Sequence, residues 1–396
     1  MTKLHCGRVG NRHFFLASLT LFCSLVSILF RNFRAPACTK LISGPLSSSV
    51  LINCDSAQFM QDSQYPSRIL AGLTSYQDRP LYALVVHLIA KPLSIFFDGS
   101  ETFPNARGEP IEFFYVNYLV FIALNFAVLI FSVYLLSICL PKLGSSGVNP
   151  SSFNYLFTAI FSLVFLNDII KGFFWTPHSQ MFHLLLVSLS LFSLAFFSQQ
   201  HNKQRTFLWF ALVSCLIFFY PIMIILLAIP VSKNFRKFFL PALASGLPYL
   251  IYPKVIEALG GTFRFATTSQ YRQFVWLFDV RHIDELQERF FAFIHTFPRA
   301  LTCLTLILMS ILLTSLRSRG STLDWVYPKF LIMYFLFLYA MGFYATRITT
   351  AFLIACSSYF LIFVANLNFQ KTFRVLCSSV TLFCILTFFL TEGSLS

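Results

Sequence analysis

The segment FFYVNYLVFIALNFAVLIFSVYLLSICL, which runs from Phe113 to Leu140, contains no charged residue. A helix needs about 20 mostly apolar residues to cross the hydrocarbon core of a bilayer. A helix also satisfies its own backbone hydrogen bonds, which lipid cannot do. This segment therefore predicts a membrane-spanning helix, and similar runs recur along the chain.

The composition of the whole chain agrees with a membrane location. Its 396 residues are 57% hydrophobic and 11% charged, whereas soluble domains carry about 25% charged residues. The formal net charge of +14 comes from short basic clusters between apolar runs and not from one basic face. Such clusters are typical of the positive-inside rule and of contacts with anionic head groups, so we exclude a nucleic-acid-binding protein.

The apolar runs predict an all-α, polytopic bundle of about eleven spans that forms one integral membrane domain over residues 1–396. The first run follows Lys3, Arg8 and Arg12 and has no small-residue cleavage site after it, so it predicts an uncleaved signal anchor. Pro221 interrupts another run, which is either one kinked helix or two short ones. The runs are His13–Phe30, Leu81–Phe97, Phe113–Leu140, Phe153–Ile170, Met181–Phe197, Phe207–Pro230, Phe238–Tyr252, Ala300–Leu316, Phe330–Tyr344, Ile348–Val364 and Val375–Leu390.

Two long polar stretches, 35–79 and 253–298, separate the spans. Short basic linkers at 233–237, 317–319 and 371–374 indicate the cytoplasmic side. With eleven spans, both long stretches then face outside, but the linker with Lys203 and Arg205 also falls outside and conflicts with the rule. Helical spacing of apolar residues over 283–294 predicts a short amphipathic helix on the membrane surface.

Residues that suit catalysis occur in the first long stretch. Asp55 lies near its middle, and Asp78-Arg79-Pro80-Leu81-Tyr82 leads into the next span. A carboxylate near a membrane surface and close to an arginine suits a general base beside a phosphate site. The alternative is that Asp55 is solvated or caps a helix. Cys38 and Cys54 share this stretch, and they would pair only if it faced an oxidising compartment.

An acidic residue in the first outside loop, followed by Arg79-Pro80-Leu81-Tyr82 at the start of a span, resembles the GT-C superfamily of membrane glycosyltransferases. This superfamily includes the protein mannosyltransferases and the bacterial aminoarabinose transferases. The plan of about eleven spans with two long outside loops is also similar.

The resemblance implies an enzyme that moves a sugar from a polyprenyl-phosphate carrier to a glycan, lipid or protein acceptor outside the cytoplasm. It implies Asp55 as the general base or a ligand of a divalent metal, with Arg79 and Tyr82 near the carrier phosphate. Many members have two adjacent acidic residues here, whereas Ser56 follows Asp55 and the next carboxylate is Asp62. We expect a bacterial inner membrane or plasma membrane, with the endoplasmic reticulum as the alternative.

A second group of polar residues joins two spans and includes Asp168, Lys171, His178 and Gln180. His178 and Gln180 suit hydrogen bonds to a sugar or an acceptor, or they mark an interfacial helix start after Pro177. Asp168 and Lys171 are three residues apart and suit a helical ion pair. The span count places this linker inside, opposite Asp55, so a shared site requires a re-entrant turn or a different count.

Arg347 is a further candidate, because the count places it outside between two apolar runs. It suits a bidentate phosphate contact, or it reaches lipid head groups.

Two other functions stay open. A polysaccharide polymerase or ligase would use the second long stretch, with Arg264, Arg272 and Arg281. A transporter or flippase for lipid-linked sugars would place charges at mid-membrane within paired repeats. The sequence has no internal repeat, and its charges lie at span ends.

Overall fold

The computed structural model describes residues 40–43, 49–52, 54–74, 76–97, 99–104, 110–144, 150–198, 203–263, 298–316, 322–340, 346–365 and 370–390. The strands form two antiparallel hairpins, β1 with β2 and β3 with β4. The elements in chain order are β1 Lys40–Ser43, β2 Ser49–Ile52, α1 Cys54–Gln64, α2 Ser67–Leu70, α3 Pro80–Leu93, β3 Ser100–Pro104, β4 Pro110–Phe114, α4 Tyr115–Gly144, α5 Pro150–Phe165, α6 Asp168–Phe173, a 3-10 turn Ser179–Met181, α7 Phe182–Ser198, α8 Lys203–Phe219, a 3-10 segment Pro221–Leu227, α9 Ala228–Lys233, α10 Phe235–Ala258, α11 Pro298–Leu316, α12 Thr322–Ala340, α13 Thr346–Ala365 and α14 Gln370–Leu390.

The predicted all-α class is confirmed, with the two short hairpins as additions. Within the described ranges, five helical stretches are long and apolar enough to cross a membrane: Tyr115–Leu143, Phe153–Phe173, Ser179–Phe196, Phe235–Ala258 and Gln370–Leu390. Shorter apolar helices fill the rest of the bundle. Every predicted span from Leu81 onward overlaps a helix, while His13–Phe30 and the amphipathic helix over 283–294 lie outside the described residues.

The run Phe207–Pro230 forms two segments that meet at Tyr220. Tyr220 is extended, with φ −157° and ψ 110°, and Pro221 opens the following 3-10 segment. Proline has no N–H to donate to the preceding turn, so α8 ends there and the chain turns back. The interruption at Pro221 therefore produces two short helical segments instead of one kinked helix.

Helix α4 is longer than the apolar core of a bilayer. Its 30 residues correspond to about 45 Å, compared with about 30 Å of hydrocarbon. The excess is taken up at its first turns, where Tyr118 Oη donates to the carbonyl of Trp175 at 2.8 Å and Asn125 Nδ2 donates to that of Thr176 at 3.1 Å. The linker between α5 and α7 therefore packs against the first three turns of α4.

The contacts of α3 favour a different course from the crossing predicted for Leu81–Phe97. Helix α3 has 14 residues, or about 21 Å, and its contacts rather than its length decide its course. Near its start, Tyr82 Oη donates to Asn125 Oδ1 at 3.4 Å, and beyond its end Gly99 accepts from the backbone N–H of Tyr115 at 3.2 Å. The start of α3 and the segment just beyond its end therefore both lie against the first turns of α4, and the chain between them does not reach the far end.

Several helices end at the same place, which we call the Arg79 end. Arg79 Nη1 donates to Ser179 Oγ at 2.9 Å. The linker 166–181 therefore lies beside the first long stretch, so one of the two alternatives, a re-entrant turn or a different span count, is required. A count that omits α3 and divides Phe207–Pro230 places the two segments on the same side.

The two long polar stretches also meet at the Arg79 end. The N–H of Thr262 donates to the carbonyl of Leu70 at 2.9 Å, and Gln77 Nε2 donates to the carbonyl of Thr262 at 2.8 Å. Lys171 Nζ donates to the carbonyl of Phe388 at 2.7 Å, which brings the last turn of α14 to this end as well.

Basic residues gather at the opposite end of the bundle, which we call the basic end. Helices α8 and α10 run parallel, because Phe210 contacts Phe238 and Phe218 contacts Tyr249. Their first turns, which include Arg205 and Lys237, therefore lie away from Arg79. The linker that conflicted with the positive-inside rule thus falls with the other basic linkers.

The course of α3 predicts which cysteine probes share a side. In a cysteine-depleted background, single cysteines at the exposed positions Ser67 and Ser94 should react with an impermeant maleimide from the same side of sealed vesicles. A cysteine at the exposed position Gln204 should react only after the vesicles are opened. Labelling of Ser94 together with Gln204 would mean that α3 crosses.

Candidate functional site

Arg79 is the centre of a buried polar cluster. Pro80 occupies the first turn of α3, where its fixed φ suits the helix start, and Arg79 is the residue before it. Besides its hydrogen bond to Ser179, the guanidinium lies 4.7 Å from the ring centre of Tyr220 and 5.2 Å from that of Tyr76. These cation–π contacts favour the charged group in a site where only 7% of the residue is exposed.

A network of hydrogen bonds fixes the ring of Tyr220. Its hydroxyl lies 3.3 Å from Gln180 Oε1 and 3.2 Å from His183 Nε2. His183 Nδ1 lies 3.1 Å from the carbonyl oxygen of Gln180, which only accepts, so Nδ1 carries a hydrogen. Tyr220 has one hydroxyl hydrogen for its two neighbours, Gln180 Oε1 and His183 Nε2. Gln180 and His183 therefore hold the aromatic face of Tyr220 against Arg79.

Asp78 is an imperfect partner for Arg79. Its Oδ2 lies 3.7 Å from Arg79 Nε, which is beyond hydrogen-bond distance. Among the described residues, neither Arg79 Nε nor Asp78 Oδ1 has a hydrogen-bond partner. Burial raises the pKa of Asp78 above its ordinary value, and the charge of Arg79 opposes that rise. An anion that hydrogen-bonds to Arg79 would therefore compete with a weakly held carboxylate.

His178 and Tyr82, both predicted from the sequence, lie beside this cluster and serve mainly to shape it. His178 Nδ1 accepts from the N–H of Gln180 at 3.3 Å and so caps the 3-10 turn. The ring of Phe59 from α1 lies edge-on to His178 at 5.4 Å and to Tyr82 at 5.1 Å. Tyr82 is fully buried, so it packs the α3 start and does not face an opening.

Asp62 forms a separate buried pair on α1. Thr74 Oγ1 donates to its Oδ2 at 2.5 Å, and Arg68 Nε lies 3.5 Å from its Oδ1. Burial raises the pKa of Asp62 to about 6, while the Thr74 hydrogen bond and the charge of Arg68 act against the rise. A carboxyl that titrates near neutral pH is suited to accept a proton.

Asp55 and Arg347 can be placed only by their backbones, because their side chains lie outside the described part of the structure. Asp55 is the second residue of α1 and Arg347 the second residue of α13. Asp55 precedes Asp62 by seven residues, so the two positions lie on the same face of α1, about 10 Å apart. The side chains of Cys38 and Cys54, and the whole of Arg264, Arg272 and Arg281, also lie outside it.

A polar cavity of about 490 Å³ opens between α1, α3 and the start of α4. His87 Nδ1 lies 2.7 Å from the carbonyl oxygen of Ser63, and Asn117 Nδ2 donates to Ser63 Oγ at 2.9 Å. Lys91 follows His87 by one helical turn. The lining residues are Ser63, Gln64, His87, Ala90, Lys91, Ser94, Phe97, Gly99, Ser100, Phe114 and Asn117.

Sequence analysis missed several of these residues for identifiable reasons. His87 and Lys91 stand one turn apart within a run taken as a span, and only the course of α3 gives them a polar neighbour. Tyr220 and His183 lie within apolar runs, so no local pattern distinguishes them from core residues. The one usable signal was Pro221, because the break it imposes leaves the Tyr220 side chain at the Arg79 end.

No group of three or more His, Cys, Asp and Glu side chains in the described part of the chain is arranged to hold a metal ion. The predicted metal role of Asp55 rests on a side chain outside that part.

No protein-family model, no curated protein and no solved structure matches the chain. The functional argument therefore depends on the geometry of the described residues.

The raised pKa of Asp62 predicts a stability that depends on pH. An unfolded Asp ionises near pH 4, whereas folded Asp62 ionises near pH 6, so ionisation costs the folded state roughly 3 kcal/mol at neutral pH. Stability from this group is complete below pH 4 and is lost as the pH rises to 6. The Asp62→Asn variant should therefore gain thermal stability relative to wild type over that interval.

The measurement is the difference in Tm between variant and wild type, followed by fluorescence in detergent from pH 4 to 7. Glu257→Gln is the matched control, since Glu257 is exposed and pairs with Lys254 at 2.7 Å. A difference for Asp62→Asn that does not change with pH would contradict the assigned pKa.

Proposed function

We propose that this chain is a membrane glycosyltransferase of the GT-C type. It moves a sugar from a polyprenyl-phosphate-linked donor to an acceptor, with Asp55 as the general base. The observation that carries the proposal is the 2.9 Å hydrogen bond between Arg79 and Ser179. It joins the residue predicted for the carrier phosphate to the turn that bears His178 and Gln180, the residues predicted for the sugar or acceptor.

The proposed enzyme crosses the membrane eleven times. The crossings are the predicted signal anchor over 13–30, α4, α5, α7, α8, the Pro221–Lys233 segment, α10, α11, α12, α13 and α14. This set omits α3 and divides Phe207–Pro230, so the basic linkers at 203–205, 233–237, 317–319 and 371–374 all fall on one side. The positive-inside rule supports that side as the cytoplasmic one. The Arg79 end is then outside the cytoplasm.

Arg79 is assigned to the carrier phosphate on three grounds. It is a guanidinium with a planar fork of donors that matches phosphate oxygens. Tyr76, Tyr220 and Ser179 hold it in place, so little conformational entropy is lost on binding. Its existing anion, Asp78, makes no hydrogen bond to Nε and yields to a stronger acceptor.

The proposed transfer step uses Asp55 for the acceptor and Arg79 for the carrier phosphate. The acceptor hydroxyl gives its proton to Asp55 as its oxygen attacks the anomeric carbon. The bond between that carbon and the phosphate oxygen breaks, and the carrier phosphate leaves with the electron pair. Arg79 stabilises the charge that develops on the leaving phosphate. One displacement of this kind inverts the anomeric centre.

The cavity beside α3 is the proposed acceptor pocket. Its volume of about 490 Å³ lies within the usual range for small-molecule sites. Amide, hydroxyl, imidazole and ammonium groups offer hydrogen bonds to sugar hydroxyls, and Phe97 and Phe114 supply apolar surface. His87 and Arg79 are eight residues apart on the chain, which corresponds to about 12 Å along α3.

The central test is Asp55→Asn in the reconstituted protein. The substrates are radiolabelled sugars on synthetic polyprenyl phosphates, and the readouts are free carrier phosphate and labelled product. Loss of a general base should lower turnover by a factor of about 10² to 10⁴. Glu257→Gln, at an exposed carboxylate on α10, should keep wild-type turnover. Full activity of Asp55→Asn would refute the assignment.

Arg79 needs its own test because its removal leaves Asp78 buried without a counter-charge, which alone destabilises proteins. The double variant Asp78→Asn/Arg79→Gln removes both charges and should fold, as judged by its Tm and its elution in size-exclusion chromatography. It should bind the polyprenyl-phosphate donor more weakly by about tenfold or more. Unchanged donor binding in a folded double variant would contradict the phosphate role.

A further inference from the structure

A second large cavity lies at the basic end, far from Arg79. It is a groove of about 510 Å³ between the parallel helices α8 and α10. Its walls are apolar apart from hydroxyl groups and one lysine, Lys237. The lining residues are Thr206, Phe207, Phe210, Ala211, Ser214, Lys237, Phe238, Pro241, Ala244 and Ser245.

Small residues on both helices leave room for the groove. Ala211 and Ser214 on α8 and Ala244 and Ser245 on α10 are the small lining residues, and we call them the floor. Ser245 Oγ donates to the carbonyl of Pro241 at 2.9 Å, so this hydroxyl is satisfied within its own helix. The floor is therefore mostly apolar, which suits a hydrocarbon chain.

The mouth of the groove is strongly basic. Lys237 stands in the first turn of α10, and its Nζ lies 5.4 Å from the ring centre of Phe238. From Ile169 to Ile256 the sequence contains seven Lys and Arg residues and no Asp or Glu. Five of the seven flank the starts of α8 and α10: Lys203, Arg205, Lys233, Arg236 and Lys237. A ligand at this mouth therefore meets positive charge and no carboxylate of this segment.

We propose that this groove binds an anionic phospholipid of the surrounding membrane. Its phosphate contacts Lys237 at the mouth, and one acyl chain lies on the floor between α8 and α10. Basic pockets between transmembrane helices on the cytoplasmic side are known to bind such head groups. The site is at the end opposite Arg79, so it is distinct from the carrier phosphate, and the inference does not depend on the proposed glycosyltransferase activity.

The test is equilibrium binding of tail-labelled phosphatidylglycerol and phosphatidylcholine to the full-length protein in detergent. The wild type should prefer phosphatidylglycerol. Lys237→Gln should weaken its binding about fivefold, the contribution of one lysine near a membrane surface, and should leave phosphatidylcholine unchanged. Ala244→Trp fills the floor and should weaken both lipids. Ser214→Leu is the second floor variant if Ala244→Trp does not fold.

The matched controls lie on the same helix. Lys254→Gln removes an exposed lysine at the far end of α10, and Leu240→Trp adds the same ring at a position that is 71% exposed and outside the groove. Both should bind like the wild type. Equal affinity for the two lipids, wild-type preference in Lys237→Gln, or stronger competition by a polyprenyl phosphate than by phosphatidylglycerol would each overturn the proposal.

Discussion

The amide of Asn125 satisfies backbone carbonyls that would otherwise be stranded inside the bundle. Its Nδ2 lies 3.2, 3.1 and 3.1 Å from the carbonyl oxygens of Phe173, Phe174 and Thr176, and its Oδ1 accepts from Tyr82 at 3.4 Å. A non-helical turn can be buried among helices only when its backbone groups find such partners. One side chain on α4 therefore fixes both the linker before α7 and the start of α3. Arg79 lies at the start of α3 and Ser179 lies in the linker before α7. Their contact therefore depends on Asn125.

The surroundings of Arg79 explain how a charged cluster is tolerated inside the bundle. An isolated guanidinium among apolar helices would be costly, but Arg79 has two aromatic faces, a serine oxygen and a nearby carboxylate. None of these contacts is a bidentate ion pair. The guanidinium is therefore held in place, but no carboxylate pairs with it in ideal geometry. The arrangement suits an anion site better than a structural salt bridge, in which both carboxylate oxygens would be hydrogen-bonded.

The sequence was sufficient to predict the fold class and the position of nearly every helix, because long apolar runs have few alternatives to helix in lipid. It predicted the residues Arg79, His178 and Gln180 because charge and polarity stand out against such runs. The span count had set the linker that bears His178 opposite Asp55, whereas Ser179 of this linker contacts Arg79. Hydropathy measures whether a run such as Leu81–Phe97 avoids water, and a helix packed beside the first turns of α4 avoids water nearly as well as one that crosses. Tyr220 and His183 were missed because a polar atom on a mostly apolar side chain gives no local signal; only the tertiary contact makes it functional.

The two ends of the bundle also differ in how exposed their charged side chains are, and this difference bears on the proposed chemistry. At the basic end Arg205, Arg236 and Lys237 are exposed, and exposed charge of this kind interacts with head groups and is screened by salt. The Arg79 end buries its charges, and a buried charge is screened far less, so it acts strongly on a ligand that displaces water from the site. The two proposed phosphate sites therefore differ in what a bound phosphate would do. At the basic end the contact would anchor the bundle in its membrane, whereas at the Arg79 end it would act on a bond that is breaking.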